Sequence, residues 1–250
     1  MTRDLVSIVT PAYKAAAYVA ETIRSVQAQT YGAWEMLIVE DGSPDDTWEV
    51  VAKYAAADSR VKLIRQANAG PAMARQKALE HAAGRYIAFL DSDDLWLPGK
   101  LERQLAFMEE HSSALSFTAF RRITADGSTT GRLIEVPAEM TYRSLLGNTA
   151  IATSTVLIDR EKTGPFQMTK TYYDDFVLWL GILKRGHVAH GFNEDLMRYR
   201  VLDQSVSRNK WRSMRMVWKT YREIEGLGFI SAGAAFTGYA WNAWWKYKKF

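Results

Sequence analysis

The chain contains no cysteine. Disulfide staples, thiolate-bound zinc, iron–sulfur clusters and cysteine nucleophiles are excluded at once. Histidine is scarce: the four residues stand at positions 81, 111, 187 and 190, and none form the i, i+4 spacing of a metal-binding helix. Glycine-rich phosphate cradles are missing too. The first apolar run is followed by Thr10-Pro11-Ala12-Tyr13-Lys14, so neither G-x-G-x-x-G nor G-x-x-x-x-G-K-[ST] occurs there or elsewhere. Phosphate must then be held by a metal or by side chains. The absence of G-x-S-x-G argues against a serine hydrolase of the α/β type. The N-terminal apolar run is broken by Pro11 and is too short for a secretory signal, which places the protein in the cytoplasm as an expectation.

What is present is ordinary for a globular protein. The 250 residues are 48% hydrophobic and 24% charged, enough for one large domain with a sizeable core and against disorder or a fibrous chain. The net charge of +4 hides an asymmetry: residues 208–250 hold nine Lys/Arg against two Asp/Glu, a net +7, while the remainder is at −3. That tail also holds five of the nine Trp. We therefore divide the chain into a domain over 1–207 and a basic, aromatic helical segment over 208–250.

The first hundred residues alternate short apolar runs with helical stripes. Strands are expected at 5–10, 34–40, 61–65 and 85–90. Helices are expected at 15–29, from Trp48 onward, at 70–84 and after Pro98. Short connections between them give β-α-β-α-β-α-β-α, the pattern of a Rossmann-like, mainly parallel sheet covered by helices on both faces. Ligands of such sheets sit beyond the C-terminal ends of the strands. Three places follow: after Thr10, after Glu40 and after Leu90. The second half is less regular, with single strands expected at 114–123 and 152–158, an apolar helix at 173–186, and extended segments around His187–Gly191 and Leu196–Val201.

The run Asp91-Ser92-Asp93-Asp94 ends the fourth strand. In an extended segment residues i and i+2 face the same way, so Asp91 and Asp93 are expected to point together at the sheet's mouth. Paired carboxylates repel unless a cation sits between them, and Mg²⁺ or Mn²⁺ with open positions for phosphate suits such a pair. The plainer reading is a helix N-cap by Asp94, which is compatible with metal at Asp93. Glu40-Asp41-Gly42-Ser43 offers a carboxylate to a base or a ribose, or is simply turn chemistry. Asp174-Asp175 are either functional acids or charges favoured by a helix dipole. Trp179, one turn on, either stacks on a sugar or belongs to the core.

Four blocks then carry a likeness: residues 7–47, 68–94, 173–180 and 199–207. In order and spacing they resemble the inverting family-two glycosyltransferases of the GT-A fold, whose similar members build bacterial surface polysaccharide and lipopolysaccharide. The resemblance implies a nucleotide-sugar donor, a UDP-sugar first, with Thr10, Pro11 and Asp41 at the base, Asn68 and Arg75 near the nucleotide, and Asp91 and Ser92 toward the ribose. It implies metal at Asp93 together with Asp91, a catalytic base at Asp175 beside Asp174, and Tyr199 and Arg200 closing over the diphosphate. Lys14, Glu40 and Leu202 depart from the residues many members carry. The implied reaction is metal-dependent inverting transfer to a glycan or lipid-linked acceptor. A sugar-1-phosphate nucleotidyltransferase and a catalytically silent glycan-binding scaffold are the rivals, the first lacking its glycine-rich loop here.

In the tail, Trp211, Met214, Val217, Trp218 and Tyr221 share one helical face with basic residues elsewhere, which suits a helix lying on anionic lipid. Residues 226–245 carry no charge but are diluted by four Gly. Trp241, Trp244, Trp245 and Tyr247 beside Lys246, Lys248 and Lys249 resemble an interfacial anchor. The expectation is peripheral contact with the inner face of the cytoplasmic membrane, against packing on the domain, on a homodimer partner, or spanning. No nucleic-acid recognition motif accompanies the basic stretch.

Overall fold

The computed structural model describes residues 2–171, 173–202 and 210–248. Side chains of 210–212 and 243–248 fall outside that description, as do residues 203–209 and 249–250, so the roles expected for Trp211, Trp244, Trp245, Tyr247, Lys246, Lys248 and Lys249 lie outside it as well.

The first half follows the expected alternation. Strand β1 (Thr2–Ala12) leads to helix α1 (Val19–Gln27), β2 (Trp34–Glu40), α2 (Thr47–Ala57), β3 (Val61–Arg65), α3 (Pro71–His81) and β4 (Gly84–Phe89). Pro71 opens α3 at the position where its missing N–H costs nothing. After β4 come β5 (Leu95–Trp96), α4 (Lys100–Glu110), β6 (Leu115–Thr118), β7 (Phe120–Ile123), β8 (Thr130–Ile134), β9 (Glu139–Met140), α5 (Tyr142–Leu146), a 3₁₀ turn (Thr153–Thr155) and β10 (Leu157–Asp159). The chain closes with α6 (Arg160–Thr163), α7 (Asp174–Leu183), β11 (Ala189–Phe192), β12 (Met197–Arg200), α8 (Lys210–Lys219), a π-helical turn (Thr220–Ile224) and α9 (Phe229–Lys248).

The main sheet has the order β3-β2-β1-β4-β10-β6-β11-β9. β3, β2, β1 and β4 are parallel, and β10 is wedged antiparallel between β4 and β6. The strand period of two sends alternate residues to opposite cores. Val9, Leu37, Val39, Ile87 and Phe89 face a cluster shared with α3, α7 and α8. Ile8, Met36, Ile38, Ala88 and Leu90 face another, shared with α1, α2 and α4. A smaller sheet, β5-β12-β7-β8, stands beside the first.

Four expectations need correction. Residues 114–123 are not one strand: β6 and β7 belong to different sheets and part at buried Ala119. Residues 152–158 begin with the 3₁₀ turn. Asp94 caps no helix, since α4 starts at Lys100 after Gly99, and its Oδ1 instead accepts the Arg200 backbone N–H at 2.9 Å. The aromatic face expected over 211–221 does not lie open at its described residues: Val217 and Tyr221 are fully buried, and Met214 and Trp218 pack on the same core.

The tail is anchored through polar contacts as well. The Tyr221 hydroxyl donates to the Leu146 carbonyl, and Asn242 Nδ2 donates to the Gly147 carbonyl at 2.9 Å. The π-helical turn and α9 are thus docked on α5, and α8 packs against α9, rather than standing detached from the domain.

Candidate active site

A crevice of about 500 Å³ opens at the C-terminal ends of the parallel strands. Pro11, Asp41, Asn68, Arg75, Asp91, Ser92 and Asp93, all expected at the site, line it, together with Tyr13, Tyr18 and Leu202. Thr10 is fully buried just before it, with an unpartnered hydroxyl. Tyr13 and Tyr18 line the crevice but carry no motif that marks them in the sequence. The signal available for Tyr13 was its place in the turn directly after the first strand.

Asp41 sits at the tip of β2, where Gly42 turns the chain at φ +67°. A Cβ on Gly42 would lie 2.8 Å from the Asn68 backbone nitrogen, so only glycine permits this approach. The Asp41 carboxylate accepts the backbone N–H groups of Ala69 at 2.9 Å and Gly70 at 2.8 Å, and the Gln66 amide at 2.7 Å. Asn68 Nδ2 donates to the Asp41 carbonyl at 3.0 Å. The start of α3 therefore holds this acid in place. Turn chemistry and a crevice-lining carboxylate are both present in one loop.

Residues 91–94 form a turn, with the Asp94 N–H donating to the Asp91 carbonyl at 3.1 Å. The extended i, i+2 geometry expected here is not the reason that Asp91 and Asp93 share the crevice; the turn brings them there. Burial, and next the Asp91 charge, push the Asp93 carboxyl up to about 6. Burial, then Asp93 and Asp91, raise Asp94 well above the usual carboxylate range. This loop concentrates more negative charge than the nearby arginines offset, which fits a divalent cation with oxygen ligands. Among the described residues no three acidic or imidazole groups form a closed metal cage. An ion at Asp93 and Asp91 would keep positions open for phosphate oxygens.

Arg75 joins the two acidic segments. It is buried, with Nη2 2.5 Å from Asp91 Oδ1 and Nη1 3.2 Å from Asp174 Oδ2. Asp91, Asp174 and Asp175 hold its charge firmly against the cost of burial. Burial raises the Asp174 carboxyl, and Arg75 opposes that rise. Asp174 is thus spent on Arg75, whereas Asp175 accepts the Thr153 hydroxyl at 2.6 Å. Trp179 is core: it is buried edge-on against Phe89 at 5.4 Å.

Tyr199 and Arg200 are absent from the crevice lining. Arg200 is buried, and its guanidinium donates to the Asp93 carbonyl at 2.8 Å, the Ala125 carbonyl at 2.7 Å and Glu21 at 2.6 Å. In this structure it holds the acidic loop from behind. Tyr199 lies against Phe120, with ring centres 5.9 Å apart.

This constellation can be set beside known proteins. Residues 7–172 match the family described as Glycosyl transferase family 2. The chain belongs to that family. It is 45% identical over 243 residues, 96% of each chain, to TuaG of Bacillus subtilis (strain 168), which carries the name of a teichuronic acid biosynthesis glycosyltransferase. It is 38% identical over 218 residues to WfgD of Escherichia coli, a UDP-Glc:alpha-D-GlcNAc-diphosphoundecaprenol beta-1,3-glucosyltransferase, covering 86% of this chain and 84% of that one. Among solved structures, S. aureus TarS with UDP-GlcNAc superposes with a TM-score of 0.69 at 18% identity, over 95% of this chain and 71% of that one. The Pyrobaculum calidifontis mannosyltransferase PcManGT, in complex with GDP-Man and Mn²⁺, gives 0.71 at 17% identity, over 97% and 70%. This family-2 member has the GT-A fold and is a glycosyltransferase, which sets the nucleotidyltransferase reading aside.

Proposed function

We propose that the crevice binds a nucleotide sugar, a UDP-sugar first, and that Asp175 activates an acceptor hydroxyl that displaces the nucleoside diphosphate with inversion at C1. The observation that carries this reading is the Arg75 bridge, which sets the crevice acids beside those of α7. The donors in the names of WfgD and of the TarS complex support the UDP preference.

In this reading Asp41 orients the base, Asn68 braces the Asp41 loop, and Asp91 and Ser92 face the ribose. Asp93, with Asp91, would hold Mn²⁺ or Mg²⁺, which when bound neutralises charge on the departing diphosphate. Asp175 takes the proton of the attacking hydroxyl, a contribution of about 10²–10⁴-fold. Asp174 fixes Arg75. The buried Arg200 holds the Asp93 carbonyl, so it shapes the acidic turn rather than reaching the diphosphate.

The acceptor we propose is a lipid-linked glycan in surface polysaccharide synthesis, as the names of TuaG and WfgD suggest. Contact with the inner membrane face is supported by α9, where Ile230 is 90%, Phe229 71% and Trp241 62% exposed. No helix of the described residues is long and apolar enough to cross a membrane. Peripheral contact is the arrangement we propose for this face, ahead of a homodimer partner, with the basic tail as its electrostatic complement.

The test is a melting-temperature panel of UDP-, GDP- and dTDP-sugars, with and without Mn²⁺, followed by Asp175→Asn in a transfer assay with the stabilising donor. A ligand that binds the folded state raises the melting point. No shift with any nucleotide sugar, or full turnover by Asp175→Asn, would refute the reading.

A further inference from the structure

The 3₁₀ turn Thr153–Thr155 has no motif in the sequence, yet it touches both halves of the site. The Thr153 hydroxyl donates to Asp175 Oδ2 at 2.6 Å. The next residue, Ser154, accepts the Asp91 backbone N–H on its Oγ at 3.0 Å.

The turn that carries these two hydroxyls is itself held from several sides. Thr153, Ser154 and Thr155 are all buried. Trp96 Nε1 donates to the Ser154 carbonyl at 2.8 Å, and Gln104 Nε2 donates to the Thr155 carbonyl at 3.0 Å. The Thr155 hydroxyl closes the turn on the Ala152 carbonyl at 2.6 Å. The chain then enters β10, which pairs with β4, the strand that leads into Asp91.

We propose that Thr153 and Ser154 form a two-hydroxyl clamp that sets the distance between the base and the leaving-group loop. Thr153 is a positioning residue for Asp175, and Ser154 one for the Asp91–Asp94 turn. Because the residues are consecutive, neither end moves without the other. In-line displacement needs such a fixed span, since small misplacements of reacting groups cost large factors in rate. The inference rests on Asp175 as the base.

The experiment compares Thr153→Val, Thr153→Ser, Ser154→Ala and Asp175→Asn in one transfer assay, with calorimetric binding of UDP plus Mn²⁺ alongside. Thr153→Val is expected to lower kcat about 10–100-fold, the size of loss seen when an outer-shell partner of a metal ligand is removed. Its donor KM and UDP affinity should stay within twofold, and the acidic limb of its kcat–pH profile should move. Thr153→Ser keeps the hydroxyl and should restore most of the rate. Ser154→Ala should act at the other end, weakening UDP binding about tenfold.

If Asp175→Asn is silent while Thr153→Val turns over normally, the clamp is refuted and the base reading stands. If Asp175→Asn turns over normally, the base reading itself fails. Equal losses for Thr153→Val and Thr153→Ser, with unchanged pH profiles, would reduce the turn to packing and overturn the proposal. Should Thr153→Val fail to fold, Thr153→Ala against Thr153→Ser poses the same question without the branched side chain.

Discussion

Arg75 reaches Asp91 Oδ1 at 2.5 Å with one nitrogen and Asp174 Oδ2 at 3.2 Å with the other. The two acids come from segments 83 residues apart in sequence. A planar guanidinium can span them, whereas a lysine ammonium is a point charge and cannot hold both. Removing a partner from a buried pair typically costs about 3–5 kcal/mol. Asp91 is partly open, so the lower end applies. Arg75→Met is expected to lose about 3 kcal/mol in urea unfolding, and Arg75→Lys should keep part of the stability but little turnover.

Asp174 and Asp175 are neighbours with different partners, and their amide variants should differ accordingly. Asp175→Asn is expected to lower turnover by about 10²–10⁴-fold and to leave UDP affinity nearly unchanged. Asp174→Asn weakens the hold on Arg75 and should lower the melting temperature more than Asp175→Asn does. Rates measured beside thermal melts separate the two effects. Equal rate losses without a stability difference would contradict the division of roles.

Gly42 adopts φ +67°, and a Cβ there would meet the Asn68 nitrogen at 2.8 Å. Gly42→Ala forces the Asp41 loop away from the start of α3. A left-handed non-glycine residue costs about 1–2 kcal/mol before the clash is counted. The expected result is a lower melting temperature with UDP binding weakened about tenfold or more, read by calorimetry.

Lys100 is completely buried, with its ammonium 3.9 Å from the Trp96 ring centre and no hydrogen-bond partner. Burial pushes its pKa from 10.5 down to about 7. Between those values the unfolded chain binds the proton and the folded one does not, so stability rises with pH across that window. The limiting slope is about 1.4 kcal/mol per pH unit. Lys100→Met should flatten that rise and raise stability at pH 7. Unfolding curves taken from pH 7 to 10 check both outcomes, and a wild-type curve that falls with pH would contradict the assignment.

The open face of α9 carries Phe229, Ile230 and Trp241. Ile230→Glu with Trp241→Glu is expected to abolish sedimentation with phosphatidylglycerol vesicles while leaving the melting temperature within a few degrees. Wild-type protein should be released by high salt, since the basic tail contributes an electrostatic share.

The parallel half of the fold was legible because its central strands are buried on both faces and carry short apolar runs, such as Met36–Val39. Pro71 also marked a helix start. The later strands were harder. Ala119 gives no sign that the chain leaves one sheet for another, and β12 reads much like any polar extended segment. The acids of the crevice were visible as types and spacings. Their supports were not: Thr153 and Ser154 act on partners 22 and 63 residues away, and single hydroxyls leave no periodic trace. Arg200 was visible, but its inward direction is set by Glu21, Asp93 and Ala125, which only the folded chain assembles.

The wedge of β10 between β4 and β6 means that the half carrying the crevice acids and the later half of the chain share one continuous ladder. Chimaeras that join the front half of this chain to the back half of a relative must therefore splice across a continuous ladder, and they should inherit a working pair only when strand β10 and its preceding turn travel together.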